Sequence, residues 1–470
     1  MFTFASFFMR LRLYGGLLWA VLPLMASAQS LESILSQALV NDPQLLEARA
    51  NQMGAYNAMK ATQAGHYPVF SVVGNQVLAR EYDDVNTDND KRFNPGVKGV
   101  LNIYSWGGIN SAVERDRAKE RYFYYKYDET REELGSTIGQ LYLAAVRSRE
   151  ALHMMQQNLN RHDKIIHDLD IIVQYDVGRR SELTQAKSRR LQVESNMAQA
   201  QRNLDLALSR LARYTNTPVY AADLRVPFAG FTPDELIRRY HNPQLTAIPG
   251  YQAQAAELES SRANLKVSKA SRLPSLNLEG QVTRDKKEVY LNFSWDVFDQ
   301  GARYSVAQNA QTMIAAESRL AQIMREITEQ SRTAETDMRQ SSSRAALTQT
   351  QIAAQNEVVK SYEMQFKIAR RSLIDVLDSY SELAGVELAH VAAENDFRDA
   401  ALAYLRAQAQ IAVWAGVSNT SNDTVEMANN TAADAPVQST PQQSGNRADV
   451  ETGDSLDNYI HNFYQNLNKQ

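Results

Sequence analysis

Two aspartates are the clearest pair of functional groups in this sequence. Asp375 and Asp378 lie in the segment Ile-Asp-Val-Leu-Asp, and a spacing of three puts both carboxylates on one face of a helix. Ser372, three residues before Asp375, also completes a capping-box pattern, in which the acid stabilises the first turn of a helix. Asp378 lies beyond such a cap. The sequence therefore predicts two acids near a helix start and leaves a capping role and a functional role open for Asp375.

No catalytic motif accompanies these acids. The sequence has no nucleophile elbow, phosphate-binding loop or metal-binding His-Glu motif, and it contains no cysteine. His153, His162 and His167 lack the i, i+4 spacing of a helical metal-binding pair, and His162 falls on an apolar seam where a packing role is expected. We therefore predict no enzyme activity, no cofactor and no resident metal site.

The acids follow the second of two segments that repeat one another. Five positions recur with the same or a similar side chain 191 residues later, namely Gln174, Tyr175, Arg179, Arg180 and Ser181 as Gln365, Phe366, Arg370, Arg371 and Ser372. In each copy a helical pattern precedes a short basic break and another follows it, with Ser181 or Ser372 as the predicted N-cap. The chain is thus predicted to be an internal duplication with two helical hairpin tips.

Long heptad seams flank both tips. Between residues 134 and 173, positions that alternate steps of four and three are apolar at ten of twelve places, and a more polar seam runs from 306 to 366. Such repeats are typical of coiled-coil packing. A helix over residues 109–173 would be roughly 100 Å long at 1.5 Å per residue. No compact domain needs a helix of that length.

Each copy also contains a predicted β-hairpin. Apolar and polar residues alternate in residues 276–283 and 289–297, and residues 69–79 and 97–104 show a noisier version of the pattern. Strands of about ten residues with this alternation suit a membrane β-barrel, although soluble sandwiches alternate in the same way. Four strands cannot close a barrel, which takes about eight, so a membrane barrel would be shared between chains.

Composition and targeting signals narrow the function further. Fifty basic and 54 acidic residues give a net charge of −4, which predicts no nucleic-acid partner. Two arginines, an apolar run and Ala-Ser-Ala form a signal-peptide pattern with cleavage after Ala28. The predicted organisation begins with a signal peptide (1–28), followed by a first repeat (29–213) with a β-hairpin at 67–106 and a tip near 178. An equatorial segment (214–241) connects it to a second repeat (242–416), which has a β-hairpin at 275–301 and a tip near 371. The chain ends in a predicted disordered tail (417–470).

These features together resemble the TolC-like outer-membrane channel family. The resemblance covers residues 31–416 and rests on motifs in a fixed order: Asn-Asp-Pro-Gln-Leu at 41–45 and Asn-Pro-Gln-Leu at 242–245, Pro68 and Pro274, strand ends with an aromatic residue followed by Gly107 or Gly301, and the two tips. It implies an α+β fold in which long coiled-coil helical hairpins join two β-hairpins, and a homotrimer closes a shared 12-stranded membrane β-barrel. The barrel would lie in the outer membrane and the helical body in the periplasm.

The resemblance also implies partners and a function. The partners would be two further copies of the chain, a periplasmic adaptor (membrane fusion) protein, an inner-membrane ABC transporter or RND-type pump, and outer-membrane lipid. We expect the exit duct of a type I protein secretion system, because the tip motif and the lack of a lipid-bearing cysteine look unlike the lipid-anchored efflux branch. The outer-membrane component of a tripartite multidrug efflux pump is the alternative.

The same resemblance assigns roles to residues of the tips. Asp375 and Asp378 match two aspartates that form rings at the periplasmic mouth of such trimers, where six carboxylates would attract cations and could ligate a hard metal ion. Gly178, Arg179, Arg180, Ala369 and Arg370 form the tips that would dock an adaptor, and the arginines could equally be solvated tip charges.

A gate at the mouth is implied by resemblance alone. Phe366 and Arg371 match an aromatic residue and an arginine that hold the closed state, with Tyr175 as the aromatic residue of the first copy. Phe366 lacks the hydroxyl of the best-known members, and Thr184 stands where they have an acid. We therefore expect this gate to be held differently.

An exported structural coiled-coil protein, such as an adhesin stalk or a periplasmic adaptor, is the alternative from another class. It does not account for two β-hairpins of bilayer length at matching places in both copies.

Overall fold

The computed structural model describes residues 30–76, 93–215, 218–284 and 286–417. The first repeat contains α1 (Leu31–Asn41), α2 (Pro43–Gln63), β1 (Val69–Asn75), β2 (Asn94–Tyr104), α3 (Gly108–Tyr175) and α4 (Arg180–Leu211). The connecting segment, residues 212–248, contains α5 (Pro233–Tyr240). The second repeat contains α6 (Pro249–Ala270), β3 (Ser275–Thr283), β4 (Lys287–Ser294), α7 (Gln300–Lys367), α8 (Leu373–Ala407) and α9 (Ile411–Trp414). The predicted signal peptide and the predicted tail beyond residue 417 lie outside the described residues.

Capping signals in the sequence set several helix starts. Asp42 accepts a hydrogen bond from the backbone N–H of Gln44 and caps α2, with Pro43 at a position where a missing N–H does no harm. Thr232 and Glu235 form a reciprocal capping box at the start of α5. These short polar residues supply acceptors to N–H groups that the first helical turn leaves unpaired.

The two long helices, α3 and α7, each contain 68 residues, which corresponds to roughly 100 Å at 1.5 Å per residue. Helix α3 packs along α2, α4, α6 and α8, and α7 packs along α6 and α8. Close approach of α3 and α8 requires Gly139, because a Cβ there would lie 2.6 Å from a methyl group of Leu402. Among the described residues, no helix combines the length and the apolar character needed to cross a membrane.

Buried residues gather in two hydrophobic clusters. The larger cluster joins α1, α3, α4, α8, α9 and the connecting segment, and includes Leu35, Tyr142 and Leu405. The smaller one joins α3, α4, α7 and α8 near both tips, and includes Leu169 and Phe366. Both clusters combine residues of the two repeats, so each repeat completes the core of the other.

The four strands form one antiparallel sheet in the order β1-β2-β3-β4. Pairing of β2 with β3 joins the repeats, with Leu101 opposite Leu278. Strand β4 ends at Ser294, short of the predicted end at residue 297, because its partner Ser275 is the first residue of β3 and no further pairing is available. The pairing of β4 with β3 therefore ends β4 three residues before the end that alternation of apolar and polar residues predicted.

Candidate functional site

One face of the sheet is apolar and exposed. Its side chains come from all four strands and are each at least 36% exposed: Phe70, Val72, Val97, Leu278, Val282, Val289, Leu291 and Phe293. We call this set the apolar face. Alternation along each strand puts these residues on one side, because successive side chains of a strand point to opposite faces. A contiguous exposed apolar surface of this kind marks contact with a membrane or another protein.

The opposite face of the sheet carries a polar network centred on Glu279 of β3. Its carboxylate lies 2.7 Å from Nζ of Lys98 on β2 and accepts hydrogen bonds from Nδ2 of Asn292 (2.9 Å) and from the hydroxyl of Tyr290 (3.2 Å) on β4. Three strands are therefore linked through one acid. The sheet presents apolar side chains on one side, and the other side carries this polar network together with Val69, Val73 and Val100 of β1 and β2.

The two tips are built differently although their sequences repeat. At the first tip, Asp176 accepts a hydrogen bond from the N–H of Gly178, and a 3-10 turn over Val177–Arg179 leads directly into α4. The predicted N-cap at Ser181 is therefore wrong: Arg179 occupies the N-cap position and Ser181 is already helical. At the second tip, Ala369 adopts a left-handed φ of +55° and Ser372 caps α8 as predicted.

The capping interpretation of Asp375 is confirmed. Its N–H donates to Oγ of Ser372, and its carboxylate accepts hydrogen bonds from the hydroxyl and the N–H of Ser372. These bonds hold the pKa of Asp375 below its ordinary value. Asp378 takes no part in the cap, is exposed, and lies 3.6 Å from the guanidinium of Arg189 on α4.

Phe366 is the centre of the contact between the tips. Its ring is 2% exposed, and the guanidinium of Arg179 from the first tip lies 5.1 Å from its centroid. Because phenylalanine has no hydroxyl group, Phe366 contacts the first tip through this cation–π interaction and not through a side-chain hydrogen bond. Arg371 lies 4.0 Å from the ring centroid of Tyr362 and 3.9 Å from the carboxylate of Asp375.

Other predicted tip residues do not join this contact. Tyr175 is 88% exposed, and Thr184 donates its hydroxyl hydrogen to the carbonyl of Arg180 in its own helix. The structure thus brings Arg179 onto Phe366 and places Arg371 beside Tyr362 and Asp375, whereas Tyr175 joins neither contact.

A buried polar group behind the tips was not predicted. Tyr380 donates a hydrogen bond of 2.6 Å to Glu363, whose other oxygen lies 3.2 Å from Nζ of Lys164. Burial raises the pKa of Tyr380. The ring of His162 meets that of Tyr380 edge-on at 5.5 Å, and burial lowers the pKa of His162 to about 4. The packing role predicted for His162 is confirmed, whereas no local sequence signal marks Glu363 or Tyr380.

Arg161 and Glu387 add a second link between the repeats. The guanidinium of Arg161 on α3 donates two hydrogen bonds to the Glu387 carboxylate on α8, one of them 3.0 Å long, and Glu387 is buried. A bidentate pair with one partner buried is stronger than a surface ion pair. The helices of the two repeats are therefore held together along the tip half of α8.

Matches to known proteins agree with this architecture. Residues 34–217 match the family model of the outer membrane efflux proteins. The outer-membrane channel OprN is 18% identical, with a TM-score of 0.71 over 81% of this chain and 89% of that chain. The Campylobacter jejuni outer membrane channel CmeC is 15% identical, with a TM-score of 0.70 over 85% of this chain and 89% of that chain.

The outer membrane protein VceC from Vibrio cholerae is likewise 15% identical, with a TM-score of 0.70 over 81% of this chain and 96% of that chain. No curated protein sequence matches the chain. At these identities the structural matches show a shared fold, and they confirm the predicted fold class. The chain therefore matches the outer membrane efflux protein family over residues 34–217 and shares the fold of the outer-membrane channels OprN, CmeC and VceC.

Proposed function

We propose that three copies of this chain form an exit channel through the outer membrane. In this proposal the chain lies in the outer membrane with its helical body in the periplasm, which the family match of residues 34–217 and the shared channel fold support. The observation that carries the proposal is the apolar face, which is exposed on all four strands while the opposite face carries the hydrogen-bonded network of Glu279 across β2, β3 and β4. An apolar outer side and a polar inner side are what a membrane barrel with a water-filled lumen requires.

The strand order supports a shared barrel. Strands β1 and β4 are the edges of the sheet, and each offers unpaired backbone groups on one side. Pairing of β4 in one copy with β1 in the next satisfies both edges and closes twelve strands in a trimer. In lipid this closure is required, because unpaired backbone groups are costly there.

In such a trimer the tips form the periplasmic mouth. Asp378 is the stronger candidate for an acidic ring, because it is exposed and is not used by the helix cap. Asp375 contributes to the same charge while it caps α8. We propose that the cation–π contact of Arg179 with Phe366 helps to hold the mouth closed, in place of a hydrogen bond to a tyrosine hydroxyl.

The transport pathway is the finer part of the proposal. The tip motif favours the exit duct of a type I protein secretion system, whose partners would be a periplasmic adaptor and an ABC transporter. The family description of the matched residues favours the second candidate, the outer-membrane component of a tripartite efflux pump with an RND-type partner. Both candidates use the same channel and dock an adaptor at the same tips.

Site-specific crosslinking from the tips tests this proposal. The chain has no cysteine, so Val177→Cys or Ile368→Cys introduces one reactive thiol at a tip residue that is 71% or 63% exposed. Ala369 is avoided because its left-handed φ strains a larger side chain. Tyr220→Cys, 64% exposed in the connecting segment, is the matched control.

We expect both tip variants, but not Tyr220→Cys, to capture a periplasmic adaptor in intact cells. An adaptor that co-purifies with an ABC transporter would support secretion, and one that co-purifies with an RND-type pump would support efflux. Thiols at Val177 and Ile368 that react with an impermeant reagent from outside the cell, and capture no adaptor, would contradict the channel proposal.

A further inference from the structure

A cavity of about 250 Å³ lies between α3, α4 and α8, roughly 10–30 Å along the helices from the tips at 1.5 Å per residue. We call it the tip cavity. Its apolar lining consists of Met154, Met155, Val193, Ala384 and Leu388. The first three come from the first repeat and the last two from the second. An occupant would therefore contact both repeats at once.

Two buried polar atoms of the lining have no hydrogen-bond partner among the described residues. They are Nδ1 of His162 and Oδ1 of Asn158, whose residues are 2% and 7% exposed. Both lie on α3, four positions apart, and so on the same face of that helix. Buried polar groups are almost always paired. The cavity thus favours an occupant with a polar group that can bond to these atoms.

In the described part of the chain, the one charged side chain that lines the cavity is cationic and therefore favours an anion. It is Arg189, whose half-exposed guanidinium also lies 3.6 Å from the carboxylate of Asp378. Burial lowers the pKa of His162 to about 4. The positive charges of Arg161, Arg189 and Arg190 also lower this pKa, whereas the negative charge of Asp163 raises it. The imidazole is therefore neutral at pH 7 and can donate or accept a hydrogen bond according to its tautomer.

Gly385 lies on the solvent-exposed side of the cavity. It lies in the interior of α8 and lines the cavity, and a Cβ built there would meet no atom within 4 Å. Glycine weakens a helix interior relative to alanine, and no packing contact within the described chain requires it at this position. A side chain at residue 385 would project into the empty space.

We propose that the tip cavity binds a small organic anion with an apolar body. The anionic group bonds to Arg189 and accepts a hydrogen bond from Nδ1–H of the neutral His162 ring, and the apolar body lies against Met154, Met155 and Leu388. An apolar cavity of about 150 Å³ accommodates benzene, so the larger tip cavity suits a body of one or two rings. The proposal stands independently of the transport pathway.

Binding of 2-naphthoate to the full chain in lipid nanodiscs tests the proposal by isothermal titration calorimetry, with empty nanodiscs as the blank. We expect saturable binding at one site per chain. Gly385→Leu should weaken it at least tenfold by filling the cavity. Gly54→Leu is the matched control, because Gly54 also lies inside a helix where an added Cβ would meet no atom within 4 Å, and it should leave binding unchanged.

Charge selectivity is tested with 2-naphthylmethanol, which has the same rings and no charge. Arg189→Gln should weaken naphthoate binding about tenfold, as expected for loss of a charge-assisted hydrogen bond, and leave binding of the alcohol unchanged. Lys187→Gln, at an exposed residue of α4 paired with Asp170, is the control for charge and should have no effect.

Three results would overturn the proposal. They are the absence of saturable naphthoate binding to the unaltered chain, equal affinities of Gly385→Leu and Gly54→Leu, and equal affinities for naphthoate and the alcohol. If Gly385→Leu does not fold, the comparison of Arg189→Gln with Lys187→Gln decides the question.

Discussion

Glu132 shows how one residue links distant parts of the chain. Its carboxylate is buried in α3 and accepts hydrogen bonds from the backbone N–H groups of Ile411 (2.8 Å) and Ala412 (3.1 Å) at the start of α9. Burial raises the pKa of Glu132 to about 7, although both hydrogen bonds oppose the shift. The end of the second repeat is therefore attached to the first through a titratable group.

This raised pKa predicts a pH dependence of stability. The folded chain holds the Glu132 proton more tightly than the unfolded chain, whose pKa is near 4.5. The stabilisation is complete below about pH 4.5 and is lost as the pH rises to about 7, with an upper limit of about 3 kcal/mol. Glu132→Gln should remove this loss, measured as the difference in thermal unfolding temperature between pH 5 and pH 8.

Glu133→Gln is the control for that measurement, because Glu133 is the next residue of α3 and is exposed. It should retain the pH dependence of the unaltered chain. Equal pH dependence in Glu132→Gln and Glu133→Gln would show that Glu132 does not hold the raised pKa.

The exposed charge of Asp378 predicts an effect on ion selectivity of the channel. Asp378→Asn should lower cation selectivity in planar bilayers, because it removes an exposed charge from the mouth, and the lost surface ion pair with Arg189 matters little for stability. Glu382→Gln, at an acid one turn further along α8, is the control. Unchanged selectivity in Asp378→Asn would exclude an acidic ring at this residue.

At the residue scale, local patterns were predictable and distant partners were not. The Ser-x-x-Asp pattern predicted the cap at Asp375, and the heptad seam predicted burial of His162. The contacts of Arg179 with Phe366 and of Asp378 with Arg189 join different repeats. Such contacts follow from how the repeats pack, which no short-range spacing encodes.

The two tip helices show the same limit at the scale of elements. Ser181 and Ser372 occupy matching places in the repeat, yet only Ser372 is an N-cap. In the first tip, Asp176 supplies an acceptor that lets the turn begin early, so α4 starts before Ser181. The matching residue of the second tip is Lys367, which has no acceptor, and α8 starts only after Ser372.

This difference predicts unequal effects of the same substitution. Ser372→Ala should destabilise the first turn of α8 by about 1 kcal/mol, the usual cost of losing an N-cap side chain. Ser181→Ala removes no cap bond and should change stability little. Amide hydrogen exchange in the first turns of α4 and α8 measures both, and equal protection losses would contradict the assignment of the caps.

Helix and strand lengths were predictable to different degrees. The heptad pattern predicted a helix over residues 109–173, and α3 spans Gly108–Tyr175. Alternation predicted the faces of the strands but extended β4 by three residues, because a strand ends where its partner does. Periodicity is a property of one segment, whereas the end of a strand depends on two.

At the scale of the whole molecule, the duplication matters because its two halves pair. Strands β2 and β3 place Asn102 opposite Asn277, and their side chains share a hydrogen bond of 2.8 Å. Both hydrophobic clusters likewise combine residues of the two repeats. Neither repeat could bury its own apolar residues alone, so the two are expected to fold as one unit.

Two neighbouring residues of β4 test whether the sheet faces lipid. Leu291 lies on the apolar face, 56% exposed, and Asn292 lies on the polar face, hydrogen-bonded to Glu279. A lysine facing lipid costs roughly 2–4 kcal/mol near the middle of the bilayer, and a trimer would carry three of them. Leu291→Lys should therefore greatly reduce the amount of trimer in the outer membrane.

Asn292→Lys adds the same charge one residue away and should be tolerated, because the new ammonium would point to the polar face near the Glu279 carboxylate. Membrane fractionation followed by electrophoresis without heating measures the trimer in both variants. Equal amounts of trimer in the two variants would contradict the channel proposal. An apolar face that accepts a lysine without a decrease in the amount of trimer is not in contact with lipid. Such a result would favour the exported coiled-coil alternative, in which neither face of the sheet meets a membrane.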